Sequence, residues 1–108
     1  MEYFGTNSKM KKLLDNNAKL VKEFGKQRAQ KIIKRLDEFQ IANSLSEISH
    51  LPPARLHKLQ GDRENQFAVD IDGKLRIVFV GYDEDDLFTT DKDKIVSLEI
   101  LEIVDYHS

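Results

Sequence analysis

The sequence predicts an α+β fold in which helices come first and an antiparallel sheet that they cover comes second. Three observations predict it. Apolar residues recur at helical spacing as far as Ala42; Pro52-Pro53 stops that pattern; alternation with a period of two takes over afterwards. The 108 residues suit one domain, 1–108, with a single hydrophobic core.

Residues 2–5 are expected to form a short strand, because Tyr3 and Phe4 favour extended backbone. Thr6, Asn7 and Ser8 each offer an N-cap for a first helix near 8–24, whose apolar positions are Met10, Leu13, Leu14, Leu20, Val21 and Phe24. Asn16-Asn17 is a point of interruption, and Gly25 is a terminator. A second helix over about 26–42 sets Ala29, Ile32, Ile33, Leu36, Phe39 and Ala42 on one stripe. Its other side carries Lys26, Arg28, Lys31, Lys34 and Arg35, so the expectation is a helical hairpin with a basic outer face. Ser44-Leu45-Ser46-Glu47 has the spacing of a capping box and predicts a short helical turn. Beyond the prolines, Arg55–Leu59 is a short strand candidate, and Phe67, Val69 and Ile71 mark the buried side of the next strand. Asp72-Gly73 signals a hairpin leading into a strand from Leu75 to Val80, and residues 95–104 make another. The acid-rich stretch 83–94 reads as a solvated loop, since it lacks the ligand spacing of a calcium-binding loop.

Composition narrows the function. With 40% hydrophobic and 33% charged residues, a soluble globular protein is expected; no apolar run is long enough to cross a bilayer, and no basic-then-apolar leader is seen. The absence of cysteine excludes thiolate metal sites and fits a cytoplasmic protein. Residues 1–63 carry a charge of +6 and residues 64–108 a charge of −8. A basic first half in an acidic protein suggests a local anion-binding surface, although a solvated lysine-rich helix face has the same composition. No helix-turn-helix is apparent, so direct DNA binding is not expected.

Polar residues placed among apolar ones point to chemistry. Arg76 interrupts an apolar strand, where a charge is costly unless it pairs or faces a cleft. A pair with Glu99 or Glu102 would satisfy it; so would a phosphate. Arg63 stands in the turn before the preceding strand. The last strand candidate ends in Asp105-Tyr106-His107, an acid, a phenol and an imidazole in succession. An ordinary polar tail is the plainer account of those three residues taken alone, but two arginines next to a His and a Tyr make a plausible phosphate site.

The blocks Leu56-His57-Lys58-Leu59-Gln60-Gly61-Asp62-Arg63, Gln66–Asp70, Leu75–Phe79 and Glu102-Ile103-Val104-Asp105-Tyr106-His107 together resemble the HigB family, plasmid-maintenance killer proteins of the RelE-like toxin superfamily. The resemblance spans residues 44–108. It implies an N-terminal helical hairpin packed on a curved, mainly antiparallel sheet of four to five strands. It also implies a ribosome-dependent mRNA endonuclease in which a ribose 2′-hydroxyl attacks the adjacent phosphate without a metal or cofactor. The implied partners are a HigA-type helix-turn-helix antitoxin and the ribosome with mRNA in its A site. In that comparison His107 would transfer protons, Tyr106 would position or stack against the nucleotide, Asp105 would orient its neighbours or bind the nucleotide, and Arg76 and Arg63 would hold the scissile phosphate. Lys31, Lys34 and Arg35 would contact RNA from the helices. Gln60 departs from relatives that carry Lys there; Lys58, two positions earlier, would supply the missing cation, and His57 would turn the other way as a structural residue. The alternative is a catalytically weak or inactive relative that binds antitoxin or ribosome without cutting.

Overall fold

The protein is described here by a computed structural model over residues 1–106. The chain runs β1 (Glu2–Gly5), α1 (Ser8–Leu14), α2 (Asn17–Phe24), α3 (Lys26–Ile41), a 3-10 turn (Leu45–Glu47), β2 (His57–Lys58), a second 3-10 turn (Gly61–Arg63), β3 (Phe67–Asp70), β4 (Leu75–Tyr82), β5 (Phe88–Thr89) and β6 (Ser97–Asp105). The α+β class stands, with three corrections. The hairpin of two helices is a set of three, because Asn16 ends the first helical pattern. Its side chain accepts from the backbone N–H of Ala18 and Lys19, which starts a new helix in place of continuing the old one. The capping box at Ser44 closes only in part: Glu47 accepts from the N–H of Asn43, Ser44 makes no cap bond, and the helix stops after three residues. The sheet has six strands rather than four or five, in the order β1-β6-β4-β3-β2, with β5 alongside the far end of β4.

The pairing is antiparallel except that β1 lies parallel to β6, with Glu2 beside Ser97 and Gly5 beside Ile100. Gly5 must be glycine for a local reason: a Cβ there would sit 2.5 Å from the backbone nitrogen of Lys11. The helices cover one sheet face. Phe79 of β4 meets Phe39 of α3 edge-on at 5.2 Å and stacks on Phe67 of β3 at 6.0 Å. Leu20, Ile32, Leu45, Ile77, Ile95, Leu98 and Ile100 are fully buried around them. On the other face only a small apolar strip forms, from Leu59, Ala68 and Val78 with Leu101 and Val104 against them. Among the described residues no helix covers that strip, and it is there that the polar residues gather.

The β3–β4 hairpin is anchored to the helices by Asp72. Its carboxylate accepts from the N–H of Lys74 and of Leu75 at 2.8 Å and from Arg28 of α3 at 2.8 Å. Burial alone would raise its pKa, but the two backbone donors and the guanidinium outweigh it and lower the value to about 2. A carboxylate depressed on folding adds stability above its unfolded pKa and loses it as pH falls through the folded one. Asp72→Asn should therefore cost about 1–2 kcal/mol at pH 7, allowing for solvent screening. The difference from wild type should shrink as pH falls from about 4 towards 2. Urea unfolding of both proteins across that range checks it; a gap that does not depend on pH would remove the ion pair from the account.

Candidate functional site

The register of β4 decides which side chains share the open face. Arg76 is opposite Asp70 on β3 and Val104 on β6; Val78 is opposite Ala68 and Glu102. Arg76, Asp70 and Glu102 thus lie on the uncovered side of the sheet, with Glu102 diagonal to Arg76. The sequence offered Glu99 or Glu102 as a partner for Arg76, and neither takes that role. Glu102 pairs with Arg63, which also donates weakly to Gln66 at 3.4 Å. Glu99 accepts from the Tyr82 hydroxyl at 2.6 Å and from Thr6 at 2.7 Å. The Nε of Arg76 is buried with no hydrogen-bond partner among the described residues. Its guanidinium carbon stands 4.8 Å from the centre of the Tyr106 ring, in cation–π contact.

Tyr106 is fixed from two directions. Its backbone N–H donates to the carbonyl of Lys74 at 2.9 Å, continuing the β4–β6 pairing past Asp105. Its side chain meets Arg55, whose pKa is raised chiefly by hydrogen bonding to Asp70 and also by a hydrogen bond to Tyr106, against an opposing effect of burial. Arg55 forks onto Asp70 at 2.6 and 3.1 Å. Nothing in the sequence singled out Arg55. Its backbone lies in the left-handed region at φ 47, immediately after the proline turn, and this turns its side chain towards β3.

That turn also sets the parity of β2, against the sequence expectation. His57 is opposite Ala68 and on the open face with Leu59, whereas Lys58 is opposite Phe67, a core residue. His57 is the residue brought to the site; Lys58 and Gln60 are exposed at the sheet's outer edge. The Nδ1 of His57 lies 2.7 Å from the carbonyl oxygen of Arg55, which can only accept. Nδ1 therefore carries the hydrogen, leaving Nε2 to take or give a proton.

Asp105 is opposite Leu75 and exposed, on the strand position that faces away from Arg76. His107 lies outside the described residues. On the helical side Lys31 and Lys34 are exposed as expected, but Arg35 is not. It is 3% exposed, donating to both oxygens of Glu38 at 2.7 Å and to the carbonyl of Asp70 at 3.1 Å. Arg35 is thus withdrawn from the basic face and braces α3 against β3.

The open face therefore holds three guanidiniums, from Arg55, Arg63 and Arg76, against two carboxylates, Asp70 and Glu102, with a phenol and an imidazole between them. Arg55 and Arg63 are neutralised by their partners; Arg76 has no ion pair among the described residues. Such a surface can grip one anion, with donors enough to surround its oxygens. Among the described residues no three His, Asp or Glu side chains converge in a way that would hold a metal ion.

No protein-family model and no curated protein matches this chain. Solved structures do. A YoeB/ParE toxin from Agrobacterium tumefaciens superposes with a TM-score of 0.60, covering 99% of this chain and 100% of its own at 13% identity. The chain shares that toxin's fold. At 13% identity the likeness is one of backbone alone, and it does not select HigB. Among the described residues no helix is long and apolar enough to cross a membrane.

Proposed function

We propose that this protein is the toxin of a type II toxin–antitoxin pair, and that it cleaves mRNA on the ribosome by attack of a ribose 2′-hydroxyl on the adjacent phosphate. The observation that carries the reading is Arg76: a guanidinium with a buried Nε unpartnered among the described residues, standing over Tyr106 on an uncovered sheet face. The toxin-like backbone and the four motif blocks that resemble HigB support it. In this reading Arg76, helped by Arg55 and Arg63, counters the charge that grows on the phosphate as the fifth oxygen bonds to it. Tyr106 offers its ring to the nucleotide. His57 Nε2 and His107 are the proton carriers, one for the attacking hydroxyl and one for the leaving 5′-oxygen. Asp105 would orient the terminal residues from outside the pocket. A HigA-type helix-turn-helix antitoxin would hold the toxin inactive, and the exposed Lys31 and Lys34 would meet ribosomal RNA.

The test is cleavage on translating ribosomes, with the cut ends mapped. The expected products carry a 2′,3′-cyclic phosphate and a free 5′-hydroxyl, and His107→Ala should reduce their rate by about 10²–10⁴-fold. Full activity in that variant removes His107 from the mechanism. Ribosome binding without cut ends would select the second reading, a binding module on the same fold. The exposed, uncharged Gln60 is the residue that favours it.

A further inference from the structure

One charged feature lies away from the open face. A groove of about 430 Å³ between α1 and α2 is lined by Lys9, Lys12, Lys19 and Lys22, with Leu13 and Glu23. The break at Asn16 makes this arrangement. It folds α2 back beside α1, so that two lysines spaced three apart on one helix face two spaced three apart on the other. Residues 8–26 contain six lysines and only two acids. One acid, Asp15, pairs with Lys11 at 2.9 Å; the other, Glu23, is in the groove. None of the four groove lysines has an ion pair among the described residues. An ordinary solvated helix face intersperses acids with lysines, because like charges three residues apart weaken a helix. Here the repulsion is gathered around one depression instead.

We propose that this groove is a second nucleic-acid site, binding the phosphodiester backbone of RNA independently of the arginines on the open face. The ammonium groups act as point charges on phosphate oxygens, and the groove reads no base. The choice of RNA over an acidic polypeptide rests on the proposed function. The groove lies on the helical side and the arginines on the opposite side of a body measuring 35 × 26 × 25 Å.

The probe is a fluorescein-labelled 2′-O-methyl RNA of about 20 nucleotides, which cannot supply the attacking hydroxyl, titrated by anisotropy over a range of salt. Each lysine contact to single-stranded RNA adds about 0.7 to the slope of log affinity against log salt. The variant with Lys9, Lys12, Lys19 and Lys22 all changed to Gln should lose about 3 from that slope and bind at least about tenfold more weakly at low salt. Lys92→Gln with Lys94→Gln, in the acid-rich stretch, should bind as wild type. If the fourfold variant does not fold, Lys12→Gln with Lys22→Gln should show about half the slope change. An unchanged slope in a folded variant overturns the proposal. So does polyglutamate of matched charge competing as well as RNA, which would assign the groove to an acidic protein. Retained cleavage with an unchanged slope refutes the groove alone; lost cleavage in His107→Ala with the slope intact concerns only the nuclease reading.

Discussion

Arg76→Ala is expected to lower cleavage on translating ribosomes by about 10²–10³-fold, the effect of removing one aimed donor from a developing oxyanion. Stability should respond differently. Removing an Nε that is buried with no partner among the described residues relieves an unsatisfied donor, which offsets the lost cation–π contact with Tyr106. The unfolding free energy of Arg76→Ala should therefore stay within about 1 kcal/mol of wild type. Arg76→Lys keeps the charge and loses the fork, so it should fall between the two in rate. The combination separates function from structure: a core arginine held for stability would lose both properties, whereas one held for an anion loses only activity. Undiminished cleavage by Arg76→Ala would end the phosphate assignment. A loss of several kcal/mol would mean that an unseen partner was holding the side chain.

The second large effect belongs to the core. Phe79→Ala removes the ring that meets both Phe39 and Phe67, at a site with no solvent exposure. The expected cost is about 3–5 kcal/mol, a large part of the 5–15 kcal/mol typical of a domain. Ile77→Val, one position from Val78 on the same strand and also fully buried, should cost only about 0.5–1.5 kcal/mol. Urea midpoints at constant m-value measure both. A cost below about 1 kcal/mol for Phe79→Ala would show that the helices do not depend on this ring to stay docked.

Much of the fold was legible because its signals are local. Asn16, Gly25, Pro52-Pro53 and Asp72-Gly73 each act within a few residues, and each marks a boundary in the structure. Alternation located β3, and the Asp72-Gly73 turn led into β4, for the same reason. What escaped is non-local. β1 finds β6 across most of the chain, and no pattern in either strand records that partnership. Arg35 follows Lys34 on a basic helix, and only the position of the Asp70 carbonyl, on another element, makes it an inner residue. The exchange of His57 and Lys58 is more instructive. Parity along a strand can be read only once one residue is anchored, and here the anchor is the left-handed backbone of Arg55 after a proline turn. A non-glycine residue in that conformation gives little sign of itself in sequence, so both the orientation of His57 and the role of Arg55 were hidden together. Arg76 was legible throughout, because a charge between Leu75 and Ile77 is conspicuous in any register.

The placing of β1 beside β6 has a consequence for biosynthesis. Glu2 pairs with Ser97, so the first strand waits for translation to advance 95 codons before its neighbour exists. At about 5–20 residues per second that delay is roughly 5–20 s, during which the nascent chain has helices but no completed sheet. The surface that carries Arg76 and Tyr106 needs β6 at its side, and it can assemble only after residue 106 has cleared the exit tunnel.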